Sequence, residues 1–496
     1  MRKNLIMDAE LMKINEELSD LEQKMLRETE KKAMLVHQIH GNHQEAAKNL
    51  IKYLVLRSKD RRQLQERLHI HGLSSMTSSE GHIHRQVQAV RERLGHSYPL
   101  DELSSNSFDT SKLKLEENCI GLFGPRTTAN CPSIMVTFDT DFASNYQLVE
   151  DLLKNGMNVA RINCAHHDES IWSEMVQQIK KASNSTGFDC KIYMDLAGPK
   201  IRTKLLGKGI KKGSVKVKPG QLIWLAEARE DENDKEIIIS PTEPGIIKQI
   251  KIGDRVFIDD GMIRCTVECQ DSKKVGIRID KVFSKKRKIK AEKGINFPDS
   301  DMDIPSLTDF DINCLPFVCK NADMVGFSFV KKPSDINDLR EKFEKLDCVN
   351  LPIILKIETP ESVENFPALL MEGMKGPHMG VMIARGDLAV EIGFERMGEI
   401  QEEILWICEA AHVPVIWATQ VLENLQKSGM PTRAEITDAG LASQAECIMI
   451  NKGKHTIEVM KSLKDIIHRA ASHRIKKRFT FRPLSIASDF LDTPIG

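Results

Sequence analysis

Apolar residues recur along most of the chain in two patterns, short continuous runs and longer stretches with helical spacing. Between 133 and 196 they predict β-α-β-α-β, and after 305 they predict five more strands and a closing helix at 457–473. The eight strands are predicted at 133–138, 158–164, 191–196, 324–330, 353–358, 381–385, 413–419 and 447–451. This count predicts an α/β fold, a (β/α)8 TIM barrel built from 133–202 and 293–475. The competing open doubly wound sheet usually has a glycine-rich first turn, which this sequence lacks.

The stretch 203–292 interrupts the barrel pattern after the third strand. It shows no long helical spacing, but it has short alternating runs at 214–217, 236–239 and 255–258. Gly220, Pro241 and Gly253 punctuate these runs as turn residues. The pattern predicts an inserted small β-barrel domain.

The amino-terminal residues carry a helical pattern of their own. Apolar positions alternate steps of three and four residues, the spacing of a coiled-coil seam, at Leu11, Ile14, Leu18, Leu21 and Met25. A seam needs a partner, and it is our candidate for assembly of a homo-oligomer. We expect an N-terminal helical module at 1–95, a turn-rich linker at 96–132 and a C-terminal tail at 476–496.

Charge and composition restrict the classes of partner. The chain has 496 residues, of which 71 are Lys or Arg and 71 are Asp or Glu, so no global field attracts nucleic acid or an acidic membrane. The first ten residues lack the apolar run of a signal peptide, and no stretch approaches the ~20 apolar residues of a membrane span. We therefore expect a cytoplasmic protein that binds neither nucleic acid nor membrane. The basic run 57–67 leaves RNA binding by the helical module as an alternative.

Charged residues stand where two predicted strands end. Lys356 and Glu358 follow one apolar run, and Asp387 follows the next. The carboxyl ends of barrel strands carry the chemistry of this fold, so the glutamate and the aspartate there are suited to share one hard divalent cation. The competing interpretation is a structural ion pair, because Lys356 and Glu358 alternate along a strand and face the same side.

At this point the order of motifs resembles the pyruvate kinase family over residues 133 to about 470. The motifs are MNVARIN at 157–163, DLAGPKIRT at 195–203, DDG at 259–261, KIE at 356–358, ARGDL at 384–388, ATQ at 418–420 and PTRAE at 431–435. The resemblance implies a phosphotransferase that converts phosphoenolpyruvate and ADP to pyruvate and ATP. It also implies Mg²⁺, or Mn²⁺, as the metal cofactor.

The resemblance assigns roles to individual residues. Glu358 and Asp387 would hold the metal, Lys356 would stabilise the phosphoryl group in transfer, and Arg161 would bind the phosphate. Positioning and electrostatics are what phosphoryl transfer needs from a protein. The remaining assignments are Gly386 and Asp387 as the cradle of the substrate carboxylate, Thr419 beside the enolate carbon, and Asn163 and Arg202 near the nucleotide phosphates.

Several positions depart from the family pattern. The loop 138–143 (FDTDFA) replaces TIGPAS, and 451–454 (NKGK) replaces SGET. Ala165 and Leu196 replace hydroxyl residues at potassium-site positions, and Lys200 stands where members that use potassium have glutamate. A fixed ammonium there would substitute for K⁺ and repel it, so we expect K⁺ not to be required.

The sequence also departs from the family at its ends and leaves other functions open. We expect no counterpart of the family's C-terminal effector domain, and the helical module is foreign to the common pattern. Two alternatives follow, a Mg²⁺-dependent enolate or oxo-acid lyase on the same barrel and a catalytically impaired regulatory or binding protein.

Overall fold

The computed structural model describes residues 2–126, 131–206, 210, 213–229, 236–271, 273–283, 287–300, 302–475 and 478–479. The predicted C-terminal tail, 476–496, lies outside these residues except at 478–479. Over the described chain, no helix combines the length and the apolar character needed to cross a membrane.

In the described part of the chain, six α-helices precede the first strand. They are α1 Arg2–Lys31, α2 Ala33–His37, α3 Gln44–Arg57, α4 Arg62–Ile70, α5 Ile83–Arg93 and α6 Phe108–Phe123. The side chains of the predicted seam on α1 are buried against α3 and α5 of the same chain, with Ile14, Leu18 and Met25 fully inaccessible. The seam therefore packs against helices of the same chain and is not available for self-association, which corrects our expectation. The homo-oligomer itself stays a prediction.

Helix α6 lies within the stretch that we expected to be a linker. Ser107 caps it by accepting a hydrogen bond from the Thr110 amide, with the reciprocal contact of a capping box. Leu115, Cys119, Leu122 and Phe123 have helical spacing and pack against the barrel interior. Turn-forming residues before Ser107 obscured this pattern, so the linker prediction was wrong over α6. The helix covers the amino-terminal end of the barrel.

The next elements begin the barrel. They are β1 Ser133–Thr137, α7 Thr140–Ser144, α8 Tyr146–Lys154, β2 Val159–Asn163, α9 Glu169–Thr186 and β3 Lys191–Asp195. Asp168 caps α9 at its start, and Gly187 adopts the left-handed conformation at its end.

The inserted unit follows β3 and is built from short strands. They are β4 Thr203–Leu205, β5 Ser214–Lys216, β6 Leu222–Ala226, β7 Ile238–Pro241, β8 Arg255–Ile258, β9 Ile263–Gln270, β10 Lys274–Val282, β11 Lys288–Lys290 and β12 Ile295–Asn296. Seven of them form one sheet in the order β12-β8-β9-β10-β6-β7-β4, and β5 pairs with β11. The two edges of this sheet are joined where β4 and β12 begin: the Thr203 amide donates to the Lys293 carbonyl, the Ile295 amide donates to the Ile201 carbonyl, and Arg202 bridges to Gly294. The insert thus has the closure expected of a small β-barrel, with β5 and β11 as a separate ribbon. It has its own apolar core.

The remaining elements complete the barrel, except that β18 and β19 form a separate two-stranded ribbon. They are α10 Asp309–Asn321, β13 Met324–Phe327, α11 Pro333–Lys345, β14 Ile353–Ile357, α12 Pro360–Glu364, α13 Phe366–Gly373, β15 Met379–Ala384, α14 Arg385–Ile392, α15 Met397–Ala410, β16 Val415–Ala418, α16 Glu423–Ser428, α17 Arg433–Ala442, β17 Cys447–Ile450, α18 Thr456–His473, β18 Arg474–Ile475 and β19 Arg478–Phe479. Parallel strands close in the order β1-β17-β16-β15-β14-β13-β3-β2. The (β/α)8 barrel is confirmed. One disulfide joins Cys319 on α10 to Cys348 after α11.

Candidate active site

The carboxyl ends of β2, β3, β14 and β16, together with the start of α14, converge on one end of the barrel. Parallel pairing in register sets this geometry, since Asn163 pairs with Asp195 and Ile357 pairs with Ile383 at the strand ends. Side chains that are far apart in sequence therefore share one opening.

Lys356 stands at the centre of this opening on β14. Its ammonium lies 3.3 Å from Asp195 Oδ1 and 3.2 Å from Glu358 Oε1, and it donates a hydrogen bond of 2.5 Å to Ser328 Oγ. The residue is only 8% exposed. Lys356 and Glu358 do form the ion pair that we considered as an alternative, and the pair belongs to a larger charged cluster.

Asp195 joins the lysine to an arginine. Arg161 donates to Asp195 Oδ2 from Nε at 2.9 Å and from a terminal nitrogen at 2.5 Å, and it donates to Thr137 Oγ1 at 3.1 Å. The Tyr193 hydroxyl donates to Asp195 Oδ1 at 3.1 Å. Gly326 makes room for this tyrosine, because a Cβ at 326 would overlap its hydroxyl. Asp195 is thus fixed from three sides.

The electrostatics of the cluster follow from burial and charge. Burial alone would lower the pKa of Lys356, but the carboxylates of Asp195 and Glu358 outweigh it and raise the pKa above its ordinary value. Burial tends to raise the pKa of Asp195, and Lys356 and Arg161 reverse this, so the pKa is lowered. Burial is the largest influence on Glu358 and raises its pKa; the charge of Lys356 lowers the pKa, the charge of Asp387 raises it, and the net shift is upward. Glu358 therefore has the least well compensated negative charge of the cluster.

Asp387 opens α14 and contacts Lys200. The Lys200 ammonium lies 2.7 Å from Asp387 Oδ1 and 3.0 Å from Oδ2. Burial lowers the pKa of Lys200, but the charges of Asp387, Asp260 and Glu358 raise it overall. The ammonium that we expected to replace K⁺ is thus held by a predicted metal ligand.

The donor set of Glu358 and Asp387 fits a Mg²⁺ ion. Both are oxygen donors, they are close enough for Asp387 to raise the pKa of Glu358, and a divalent cation between them would relieve that repulsion. Among the described residues, no group of three or more His, Cys, Asp or Glu side chains is placed to hold a metal.

Thr419 follows β16 and faces the start of α14. Its Oγ1 is buried and has no hydrogen-bond partner among the described residues, and a Cβ at Gly386 would lie 3.8 Å from it. The backbone of Thr419 has φ 66°, a left-handed conformation that a β-branched residue rarely adopts. Arg385 holds this conformation by donating to the carbonyl oxygens of Ala418 at 2.9 Å and of Thr419 at 2.5 Å.

The two predicted nucleotide-side residues, Asn163 and Arg202, each contact the protein backbone. Asn163 ends β2 and accepts a hydrogen bond from the Ala165 amide at 3.0 Å. Arg202 lies at the base of the insert, where it donates to the Glu292 carbonyl at 3.1 Å and its backbone bridges to Gly294. Their neighbourhood is electropositive: burial lowers the pKa of His166, and the charges of Lys452, Arg202, His167 and Arg161 lower it further.

Comparison with known proteins identifies the family. The family model described as pyruvate kinase, barrel domain, matches residues 119–457. The chain belongs to the pyruvate kinase family. It is 32% identical over 336 residues to the pyruvate kinase of Bacillus licheniformis, which covers 66% of this chain and 55% of that relative. It is 33% identical over 351 residues to that of Thermotoga maritima, covering 68% of this chain and 70% of that relative.

The match to these pyruvate kinases concerns the barrel and its insert. The chain spans about half the length of several curated relatives, as for the enzyme of Geobacillus stearothermophilus, of which 54% is covered at 32% identity. The comparisons confirm the resemblance on which the sequence analysis relied. They give no support to the lyase or to the impaired binding protein.

Four contributors to the site were given no role in the sequence analysis, and the first is Asp195, which contacts both Arg161 and Lys356. Ser328 supports the Lys356 ammonium, Tyr193 supports Asp195, and Arg385 supports the strained turn at Thr419. Arg385 lies within the ARGDL motif, so its position in the motif could have indicated a role in the site. Ser328 becomes apparent only through its contact with Lys356 on another strand, whereas Tyr193 contacts Asp195 two residues further along β3, on the same face of the strand.

Proposed function

We propose that this chain transfers the phosphoryl group of phosphoenolpyruvate to ADP, giving pyruvate and ATP, with Mg²⁺ or Mn²⁺ and without a requirement for K⁺. The observation that carries the proposal is the single cluster of Lys356, Arg161, Asp195 and Glu358 at the carboxyl end of a pyruvate kinase barrel. A cationic cluster beside two carboxylates is the electrostatic arrangement that phosphoryl transfer requires.

Lys356 and Arg161 meet the charge of the transferring group. In a loose transition state the negative charge spreads over the phosphoryl oxygens, and a fixed ammonium and guanidinium stabilise it without reorganisation. Asp195 positions both cations, since it contacts each of them. Mg²⁺ held by Glu358 and Asp387 would neutralise phosphate charge when bound.

Gly386, Asp387 and Thr419 serve the three-carbon part of the substrate. The first amides of α14 point out of the helix start and suit a carboxylate, because they have no acceptor within the helix. The Thr419 hydroxyl, which lacks a partner in the described protein, is a donor beside the same place. It would deliver or relay the proton to the enolate carbon.

Independence from K⁺ rests on charges that are already paired. Asp195, which precedes Leu196, is contacted by Arg161, Lys356 and Tyr193, so its oxygens are used by protein donors. Lys200 supplies a fixed positive charge 2.7 Å from Asp387. A monovalent cation about 4 Å from the Lys200 ammonium would be repelled by roughly 1 to 4 kcal/mol, depending on the effective dielectric, which disfavours such a cation beside Lys200.

A coupled assay of pyruvate release from phosphoenolpyruvate, ADP and Mg²⁺ tests the proposal. We expect turnover by the wild type and its loss in Lys356→Met. Lys375→Met is the matched control, because Lys375 precedes β15 at the opposite end of the barrel and pairs with Glu372. Absence of ADP-dependent pyruvate release by the folded wild type would refute the proposal. The cytoplasmic location stays part of this proposal.

A further inference from the structure

A cavity of about 330 Å³ opens beside Arg161 on the nucleotide side of the barrel. Its walls come from the ends of β1 and β2, from α16 and from the residues after β17. Among the lining residues are Phe138, Asn163, His166, His167, Lys427 and Lys452. The size is at the lower end of the range for small-molecule sites.

Two departures from the family pattern meet at the rim of this cavity. Lys452, from the altered segment 451–454, places its ammonium 2.7 Å from Asp139, from the altered loop 138–143. The Asp139 carboxylate also accepts from the Thr140 amide at 2.8 Å and lies 3.4 Å from His167 Nε2. The two altered segments, which come from opposite ends of the barrel sequence, thus carry opposite charges that pair with each other.

Lys452 retains donors for a ligand. An ammonium has three N–H groups, and its contact with Asp139 occupies one of them. The side chain keeps 43% of its surface accessible while it lines the cavity. Asp139 therefore acts as an internal counter-ion that orders the lysine and competes with an incoming anion.

The surrounding charges favour a polyanion. The positive charges of Lys452, Arg202, His167 and Arg161 act together on His166. Two cations there have acidic partners, since Lys427 lies 2.5 Å from Glu423 and Arg161 contacts Asp195. Arg202 forms no ion pair with any residue of the described chain, and Lys452 has only Asp139.

We infer that Lys452, ordered by Asp139, binds the phosphates of the acceptor nucleoside diphosphate in this cavity and helps to determine acceptor affinity. The inference rests on the proposed function. It assigns the phosphate-binding site to the two segments that differ from the family pattern, 138–143 and 451–454. These segments would then bind the nucleotide with residues other than those usual in the family.

Opposite charge changes give the test, with ADP as the probe in titration calorimetry and in steady-state assays. Lys452→Gln should weaken ADP binding about tenfold or more, the usual effect of losing a hydrogen bond to a charged group, and leave the KM for phosphoenolpyruvate unchanged. Asp139→Asn keeps an acceptor for Thr140 and Lys452 but removes the competing charge, so it should tighten ADP binding about threefold or more. Lys452→Arg should restore binding. Lys454→Gln is the matched control, because Lys454 is exposed in the same loop and does not line the cavity.

The outcomes separate this inference from the proposed function. If the ion pair between Lys452 and Asp139 serves only to fix the loops, Lys452→Gln and Asp139→Asn will both weaken ADP binding, which overturns the inference. An unchanged affinity in Lys452→Gln, or no binding of ADP to the wild type, overturns it as well. If the wild type binds ADP in a Lys452-dependent way but releases no pyruvate from phosphoenolpyruvate, the site stands and the proposed reaction fails.

Discussion

Replacing Lys356 by methionine keeps the length of the side chain and removes one buried positive charge. The charge is 3.3 Å from Asp195 and 3.2 Å from Glu358, and neither carboxylate is more than 3% exposed. Breaking a buried ion pair by removing one partner costs about 3 to 5 kcal/mol. Asp195 keeps Arg161 and Tyr193, so the cost falls mainly on Glu358, and we expect a loss of about 3 kcal/mol in the free energy of unfolding.

The loss should depend on pH in a defined direction. Burial and Asp387 already raise the pKa of Glu358, and removal of Lys356 raises it further. A carboxyl with a raised pKa in the folded state binds more protons there than in the unfolded state, so stability falls as pH rises between the two pKa values. The deficit of Lys356→Met relative to wild type should therefore be larger at pH 8 than at pH 6.

Urea unfolding followed by circular dichroism at both pH values measures this deficit. Adding Glu358→Gln to Lys356→Met removes the unpaired charge and should recover much of the stability, whereas Glu358→Gln in the wild type leaves the lysine with Asp195. Turnover of Lys356→Met should fall by about 10²-fold or more, because a preorganised charge is lost from the transition state. A variant as stable as wild type at pH 8, with no gain from the second substitution, would refute the reasoning.

Three other changes have definite expected outcomes. Lys200→Glu should gain activation by potassium chloride in tetramethylammonium buffer, whereas the wild type should show none; strong potassium activation of the wild type would contradict the role given to Lys200. Thr419→Val should lower kcat while leaving stability unchanged or raising it by about 1 kcal/mol, since it removes a buried hydroxyl without a partner in the described chain; a loss of stability would indicate a structural bond. Burial opposes ionisation of Glu22, but hydrogen bonds from His84, Tyr98 and Arg91 lower its pKa from 4.5 to about 2. It therefore contributes about 3 kcal/mol of stability above pH 4.5 that is lost as pH falls towards 2. The stability difference between wild type and Glu22→Gln should shrink over that range, and a constant difference would argue against it.

The barrel could be predicted from sequence because its strands are buried on both faces. Such strands are continuous apolar runs in the sequence. The structural strands lie within one or two residues of the predicted ones, as for β3 and β14, except that β13 ends at Phe327, three residues before the predicted end. The charged site residues could be placed because they follow those runs directly. Locating the end of the strand was enough to place Lys356 and Glu358.

Contacts between distant segments could not be predicted in the same way. The partner of the α1 seam was not visible, because a heptad pattern specifies an apolar face and does not say whether the matching face lies in the same chain. The Tyr193 and Gly326 pair depends on β3 and β13 lying side by side in the barrel, although the whole insert separates them in sequence. The ion pair of Asp139 with Lys452 likewise arises from barrel closure, which brings β1 beside β17.

The charge balance of the active site has a consequence for substrate and metal binding. Arg161, Lys200 and Lys356 are each held by a carboxylate, namely Asp195, Asp387 and Glu358. An anionic substrate that recruits Lys356 and Arg161 would leave carboxylate charge uncompensated in a buried place, which is costly. A divalent cation between Glu358 and Asp387 offsets that cost, and the substrate offsets the positive charge that the metal adds. Each should therefore bind more tightly in the presence of the other, by the same factor in both directions, because linkage is reciprocal.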